Sequence, residues 1–485
     1  MRLGNLIKEI DFIELVNVED YDEEIDGISY SSKKTKPKDI FICLTGEHVD
    51  GHEYAEEALA NGALACVVER RLSIDAPQIV VHSTSEMIAK ISSVFYANPS
   101  SKLNIIGVTG TNGKTTVTHL IQKLHEAFDH KCALIGTLGH KFSSDDQYRD
   151  AKHTTPQAPE LQSLLYDVNE KCIDNVVMEV SSHSLVQHRV DYVDFNGAVL
   201  TNLTQDHLDC HITMANYFKA KATLFADLVA GDFAVINADD KYADQFMEFI
   251  SPNVNKYTYG IATNADVMAK DISFSGEGAS FTCVVKGNEY KTNLLMNGMF
   301  SVYNILAAIA TALALGYDIE KSIRVLEKIP GVAGRFEVVT TKPTVIVDYA
   351  HTPDGLENVL KAAREITPKD GKLICIFGCG GDRDATKRPK MGKIAEDLAD
   401  KVIITSDNPR SENPQQIITD ILAGFRSTSE VIVEPDRELA IKEAYKIANV
   451  NDVVLVAGKG HEDYQILADE TIHFDDREKV REIFG

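Results

Sequence analysis

Residues 107–116 read Gly-Val-Thr-Gly-Thr-Asn-Gly-Lys-Thr-Thr and stand at the end of the apolar run 103–108. Gly110, Thr111, Asn112, Gly113, Lys114, Thr115 and Thr116 thus form a glycine loop between an expected strand and an expected helix. The helix shows in Val117, Leu120, Ile121, Leu124 and Phe128, an apolar stripe at helical spacing. Glycines let backbone N–H groups close around phosphate oxygens, and the helix start adds a favourable partial charge. Lys114 would reach the outer phosphates of a nucleotide and the Thr115 hydroxyl would ligate Mg²⁺. The loop is a variant of the P-loop pattern, whose first glycine is Gly107 or Gly110. It commits this part of the chain to a strand–loop–helix unit of a mostly parallel sheet.

The chain has 485 residues, enough for two to four domains. Asp and Glu number 73 against 49 Lys and Arg, a formal charge of −24. That argues against nonspecific binding to nucleic acid or to an anionic membrane surface. Residues 1–11 hold no apolar core of signal-peptide length, and no apolar stretch is long enough to span a membrane. The eight cysteines are scattered, with Cys43, Cys66 and Cys375 inside strand-like runs. They read as buried free thiols of a cytoplasmic protein. Cys375 and Cys379 lack the second pair that a zinc site would need.

Three blocks are expected. The first, 1–101, holds strand-like runs at 39–44, 63–68 and 78–81 and a helical segment at 87–96, and closes on Asn98-Pro99-Ser100-Ser101 as a linker. The second, 102–331, carries the glycine loop and strand candidates at 175–180, 197–200 and 233–236 with helices between them. Within it, 265–295 reads as a small antiparallel excursion with Gly276, Gly278 and Gly287, and 302–315 as an alanine-rich helix. The third, 332–485, has strand candidates at 344–348, 372–377, 401–405, 430–433 and 452–456 and reads as a second doubly wound unit. Residues 98–101 and 330–334 are the expected hinges.

Ligands of open α/β sheets gather at the carboxyl ends of strands. Glu179 closes the run 175–180 and is placed to meet a metal beside the phosphates. His207, in Thr201-Asn202-Leu203-Thr204-Gln205-Asp206-His207-Leu208-Asp209, is a second candidate ligand; the neighbouring Cys210 and His211 are not needed for a hard cation. The amphipathic pattern at 216–225 carries Lys219 and Lys221, which on spacing alone read as solvated lysines.

Together these residues resemble the Mur ligases, ATP-dependent amide-bond ligases that build the peptide of bacterial peptidoglycan. The resemblance covers essentially the whole chain. The loop 110–116 is similar to the family's GTNGKTT. Glu179-Val180-Ser181-Ser182-His183 and the 201–209 segment are similar to its metal-site motifs, and Ala220-Lys221 to its carbamylated lysine. Asn304, Gly334-Arg335 and Asp348-Tyr349-Ala350-His351-Thr352-Pro353-Asp354 resemble its adenine- and phosphate-contacting segments.

The resemblance implies a three-domain α/β fold: a uridine-binding domain (1–101), a central P-loop domain (102–331) and a Rossmann-like C-terminal domain (332–485). It implies Lys114, Glu179, His207 and Lys221 as catalytic residues, with Thr115, Glu179, His207 and a CO₂-derived carbamate on Lys221 as Mg²⁺ ligands. ATP would be held by 110–116 with Asn304, Arg335, Asp348, His351 and Lys387. Within the family the chain is similar to the members that add meso-diaminopimelate. Tyr30, Ser32, Thr154, Thr155, Ser181, Gln187 and Arg189 match contacts to UDP-N-acetylmuramoyl-L-alanyl-D-glutamate. Arg383, Asp407, Asn408, Pro409, Arg410, Gly458 and Glu462 match contacts to the amino acid. The implied reaction is phosphorylation of the D-glutamate carboxylate, then attack by the diamino acid, in a cytoplasmic monomer. One departure is plain: Ser31-Ser32-Lys33 stands where the family usually has Asp-Ser-Arg, while 46–51 keeps a glycine loop with Asp50. A lysine-adding ligase, a folylpolyglutamate-type ligase and a P-loop switch or motor are the competing readings.

Overall fold

The computed structural model describes residues 1–485 apart from 20, 47, 48, 144, 145, 150, 152, 207, 276 and 277 and the side chains of 208 and 209. Its first sheet contains β1 (Glu14–Val16), β2 (Gly27–Ser29), β3 (Asp39–Ile42), β4 (Ala65–Val68) and β5 (Gln78–Val80), in the order β1-β5-β4-β3-β2. All neighbours are parallel except β1 and β5. Successive residues of β3 and β4 enter opposite cores: Ile40, Ile42 and Val67 pack on one face, Phe41, Cys66 and Val68 on the other. A parallel sheet covered on both faces needs such unbroken apolar runs, which is why they stood out in the sequence.

The central sheet is built on the same rule. Its strands are β6 (Asn104–Thr109), β7 (Cys132–Gly136), β8 (Gly139–Lys141), β9 (Asn175–Glu179), β10 (Gly197–Leu200), β11 (Phe233–Asn237), β12 (Asn255–Gly260), β13 (Val267–Ser275), β14 (Gly278–Val285) and β15 (Asn288–Leu294). They run β15-β14-β13-β12-β11-β10-β6-β9-β7-β8. β6 pairs in parallel with β9 on one side and β10 on the other, so the chain order reverses at the strand that feeds the glycine loop. The helix Lys114–Ala127 lays Val117, Leu120, Ile121 and Leu124 into the same core as Ile305 and Ile309 of the helix Met299–Ala314. The expected antiparallel excursion is the β13–β15 meander.

The third sheet has β16 (Glu337–Thr341), β17 (Thr344–Asp348), β18 (Leu373–Phe377), β19 (Lys401–Ile404), β20 (Ile432–Val433) and β21 (Val453–Ala457), ordered β16-β17-β21-β18-β19-β20. All but β16 run parallel. β22 (Tyr464–Ile466) and β23 (Thr471–His473) form a separate hairpin. The strand candidates of the sequence fall on strands in every block, with ends that agree to within two residues. The segment 98–101 differs from an open linker. Pro99–Lys102 is a 3₁₀ turn whose Ser100 hydroxyl donates to Asp194 (3.2 Å) and whose Pro99 carbonyl accepts from Asn169 (2.9 Å). Among the described residues no helix is long and apolar enough to cross a membrane. None of the eight cysteines is in a disulfide.

Candidate functional site

The glycine loop leaves the end of β6 at the level where β9 and β10 also end. Gly110 (φ +149°) lies against Thr201: a Cβ there would stand 1.8 Å from the Thr201 hydroxyl. Gly113 (φ +87°) faces Asn304, whose Oδ1 would be 2.5 Å from an added Cβ. Asn202 clamps the loop from the end of β10, accepting from the Asn112 amide (2.9 Å) at Oδ1 and from the Thr111 amide (2.9 Å) at its carbonyl. Lys114 folds back onto the carbonyls of Gly110 (2.8 Å) and Thr111 (2.9 Å). Burial lowers its pKa against the opposing pull of Glu179 and Asp206.

Glu179, at the end of β9, is 1% exposed and accepts from the Thr115 hydroxyl at 3.0 Å and from the amide and hydroxyl of Thr137 at 2.8 and 3.1 Å. A carboxylate and a helix-start hydroxyl in contact are a hard oxygen pair, the donor chemistry of Mg²⁺.

Lys221 is not solvated. Lys219 lies on the outer face of the helix Met214–Ala226, but Lys221 is 1% exposed. Its ammonium nitrogen donates to the Gly110 carbonyl (2.9 Å) and sits 4.8 Å from the centre of the Tyr217 ring. Burial, then the charge of Lys114, pushes its pKa far below the usual lysine range. That environment favours the uncharged, nucleophilic form of the amine over the ammonium. His207, the other expected ligand, lies outside the described residues, as do positions 47 and 48 of the 46–51 loop and Gly276.

The C-terminal domain reaches the same loop. Arg335 Nη2 donates to the Thr115 hydroxyl (3.2 Å), and its guanidinium lies 4.5 Å above the Tyr349 ring. Asp354 Oδ2 accepts from Asn112 Nδ2 (2.7 Å) and from the Thr204 hydroxyl (3.0 Å). Asp348 accepts from the amides of Phe336 and Ala350, both 2.7 Å. Lys387 donates to the His351 carbonyl (2.8 Å). Burial drops the His351 pKa to about 4, so its ring is neutral.

A second network joins most of the residues expected at the sugar-peptide end. Thr155 donates to the Glu179 carbonyl (2.8 Å) and accepts from the Ser181 amide (3.0 Å). Arg189 donates to the Thr155 carbonyl (2.9 Å) and to Gln187 Oε1 (3.0 Å). Thr154 accepts from Thr137 (3.1 Å). Tyr30 crosses from the first domain to Glu160 (2.6 Å), whereas Ser32 donates within its own domain to Glu57 (2.8 Å).

The third cluster stands at the carboxyl ends of β18, β19 and β21. Arg410 has left-handed backbone (φ +53°) and donates from Nη1 to the Gly381 carbonyl (2.8 Å). Asn408 Nδ2 donates to Glu462 Oε2 (2.9 Å), and Lys459 Nζ reaches both Glu462 Oε2 (3.0 Å) and Asn408 Oδ1 (3.2 Å). Arg383 is exposed on the 378–384 loop beside them.

Three family models match the chain: Mur ligase family, catalytic domain, over 24–96; Mur ligase middle domain over 108–312; and Mur ligase, glutamate ligase domain, over 334–460. The chain is 43% identical to UDP-N-acetylmuramoyl-L-alanyl-D-glutamate–2,6-diaminopimelate ligase of Clostridium botulinum, covering 100% of this chain and 99% of that protein. The ligase of the same name from Bacillus cereus is 45% identical, with 95% and 94% covered. The chain belongs to the Mur ligase family. A solved structure of a ligase of that name superposes with TM-score 0.70 at 35% identity, over 100% of this chain and 98% of the other.

In this Mur ligase the fold brings most of the expected residues into the three clusters just described, Ser32 staying within its own domain and His207 lying outside the described residues. Sequence reasoning missed two buried arginines under the third. Arg388, 2% exposed, holds Glu412 and Asp420 (both 2.8 Å) and the Gly380 carbonyl (3.3 Å). Arg437, 1% exposed, pairs with Asp476. Each sits near a helix start among charged neighbours, where an arginine reads as solvated, so the local sequence carries no sign of either.

Proposed function

We propose that this Mur ligase joins meso-2,6-diaminopimelate to UDP-N-acetylmuramoyl-L-alanyl-D-glutamate with consumption of ATP, as a cytoplasmic monomer. In this reading 1–101 receives the UDP-sugar, 102–331 the ATP and 332–485 the amino acid. The γ-phosphoryl group passes to the D-glutamate side-chain carboxylate, giving an acyl phosphate and ADP. An amine of diaminopimelate attacks the acyl carbon, loses a proton, and phosphate leaves. Phosphorylation is needed because a carboxylate is a poor electrophile.

The residues divide the work. Lys114 turns from the loop carbonyls to the migrating phosphoryl group, and the amides of 110–116 cradle the phosphates. Thr115, Glu179, His207 and Lys221 would hold Mg²⁺, which when bound would offset the charge of the converging phosphate and carboxylate oxygens. Lys221 serves as a carbamate: its neutral amine adds CO₂ and releases one proton, which turns a lysine into an oxygen ligand. Arg335 faces the phosphates, Asn304 and Asp348 the nucleoside, and Arg189, Thr155 and Ser181 the dipeptide.

The observation that carries the amino-acid assignment is Arg410, held by the Gly381 carbonyl at the carboxyl end of the C-terminal sheet. A guanidinium there suits the distal carboxylate that diaminopimelate has and lysine lacks. Lysine would leave it unpaired. The test is phosphate release from ATP with the UDP-sugar dipeptide and either amino acid. Release with diaminopimelate only, and none with either acceptor alone, is expected. Equal release with lysine overturns the assignment, and turnover without acceptors points to a P-loop switch.

A further inference from the structure

The loops after β19 and β21 carry all but Arg383 of the residues assigned above to the amino acid, yet these strands are not neighbours: β18 lies between them. Parallel strands stand about 4.8 Å apart, so roughly 10 Å separates the two strand ends. One side chain bridges that gap from beneath. Arg437, at the start of the helix Arg437–Ile447, donates from Nη1 to the Ser406 carbonyl (3.2 Å) and from Nη2 to the Ala457 carbonyl (2.9 Å). Its remaining edge grips Asp476, Nε to Oδ1 at 2.8 Å and Nη2 to Oδ2 at 2.7 Å. Both charged side chains are fully buried.

Ser406 immediately precedes Asp407-Asn408-Pro409-Arg410, and Ala457 immediately precedes the segment Gly458 to Glu462. Both carbonyls therefore lie where the ladder ends and the ligand-facing loops begin. The loops have little slack above this point. A Cβ on Gly458 (φ +117°) would stand 2.6 Å from Asp407 Oδ2, a buried oxygen with no hydrogen-bond partner among the described residues. The two loops also meet at Gln465, which donates to the Asp407 carbonyl (2.7 Å), and through Lys459 and Asn408.

An apolar side chain would pack this helix against the sheet without the cost of desolvating a guanidinium. What it could not do is donate in one plane to two carbonyls from separate loops. A lysine has a single nitrogen and no planar fork.

We infer that Arg437 is a positioning residue that sets the separation of the two loops receiving the incoming amino acid, and so sustains affinity and selectivity for it without touching it. The inference rests on the assignment of those loops to the amino acid. Asp476 acts through Arg437 by orienting the fork.

The experiment is steady-state phosphate release by the full chain, titrating ATP, the UDP-sugar dipeptide and diaminopimelate separately, in wild type, Arg437→Lys and Asp476→Asn. In Arg437→Lys the KM for diaminopimelate should rise about tenfold, the loss expected when a buried carbonyl goes unpaired. The other two KM values should stay within about twofold and kcat within about threefold, and preference over lysine should narrow. Asp476→Asn should show the same pattern at roughly threefold, and serves alone if Arg437→Lys does not fold. An unchanged diaminopimelate KM in a folded variant, a common rise in all three KM values or a fall in kcat alone overturns the inference. Wild-type protein that releases no phosphate with diaminopimelate instead defeats the assignment beneath it.

Discussion

Lys221 shows how far one residue's chemistry depends on its surroundings. Enclosed by Thr109, Gly110 and Tyr217 and facing the charge of Lys114, its amine has lost the solvation that keeps surface lysines protonated. Protein equilibrated with ¹³C-bicarbonate should show a carbamate carbonyl signal by NMR that disappears in Lys221→Ala, together with loss of ligation. Full activity in that variant would remove Lys221 from the metal site. The glycines of the phosphate loop make a second case. Gly113→Ala would place a Cβ 2.5 Å from Asn304 Oδ1 on a left-handed backbone. Its ATP affinity should fall by at least tenfold, with strain of about 1–3 kcal/mol behind it, while the fold persists. Isothermal titration with ATP against wild type checks this, and unchanged affinity would show that the loop relaxes freely.

The helix Lys114–Ala127 carries phosphate-loop residues at its start and two histidines further along, and those histidines make it acid-sensitive. Burial holds both His119 and His125 near a pKa of about 4. His125 Nδ1 shares a hydrogen bond with the Tyr317 hydroxyl (2.8 Å) and the residue is 2% exposed, with Nε2 unpaired among the described residues. A histidine whose folded pKa lies below its unfolded value of 6.5 takes up a proton first in the unfolded chain. Stability is therefore lost as pH falls from 6.5 towards 4 and levels off below, where the folded form protonates too. For His125 alone the loss is ~2 kcal/mol at pH 5. The drop in melting temperature between pH 7 and pH 5 should be smaller in His125→Phe than in wild type, and an identical drop would refute the account. This helix was legible in the sequence because its apolar stripe repeats at 3.6 residues and its start is marked by glycine. β8 and β16 were not, because they are edge strands paired on one side only, with too little apolar patterning to separate them from turns. β7, though fully buried, is a short run that periodicity cannot tell from the end of a helix.

At the scale of the molecule, the decisive contacts are those by which the third domain meets the phosphate loop. Asp354 bonds Asn112 and Thr204, and Arg335 bonds Thr115. Removing the Asp354 carboxylate leaves a half-buried amide and hydroxyl without their acceptor. Asp354→Ala should raise the ATP KM by about tenfold, in line with losing hydrogen bonds to a charged group, and increase the radius of gyration seen by small-angle X-ray scattering. A variant as compact and as active as wild type would mean that these bonds only accompany the domain arrangement.

The sequence by itself determined what depends on neighbours along the chain. Glycines and a lysine in a row specify a phosphate loop, unbroken apolar runs specify parallel strands covered on both faces, and Asp407-Asn408-Pro409-Arg410 carries a resemblance to a family motif. Tertiary structure alone decided what depends on burial and on distance between remote segments. It put Lys221 in the interior and Lys219 in water, though only Ala220 separates them on one helix. It also ran Arg437 beneath two loops 50 residues apart and set Asp354 against Asn112. Desolvation and long-range hydrogen bonds are properties of packing, and no local pattern of residues encodes them.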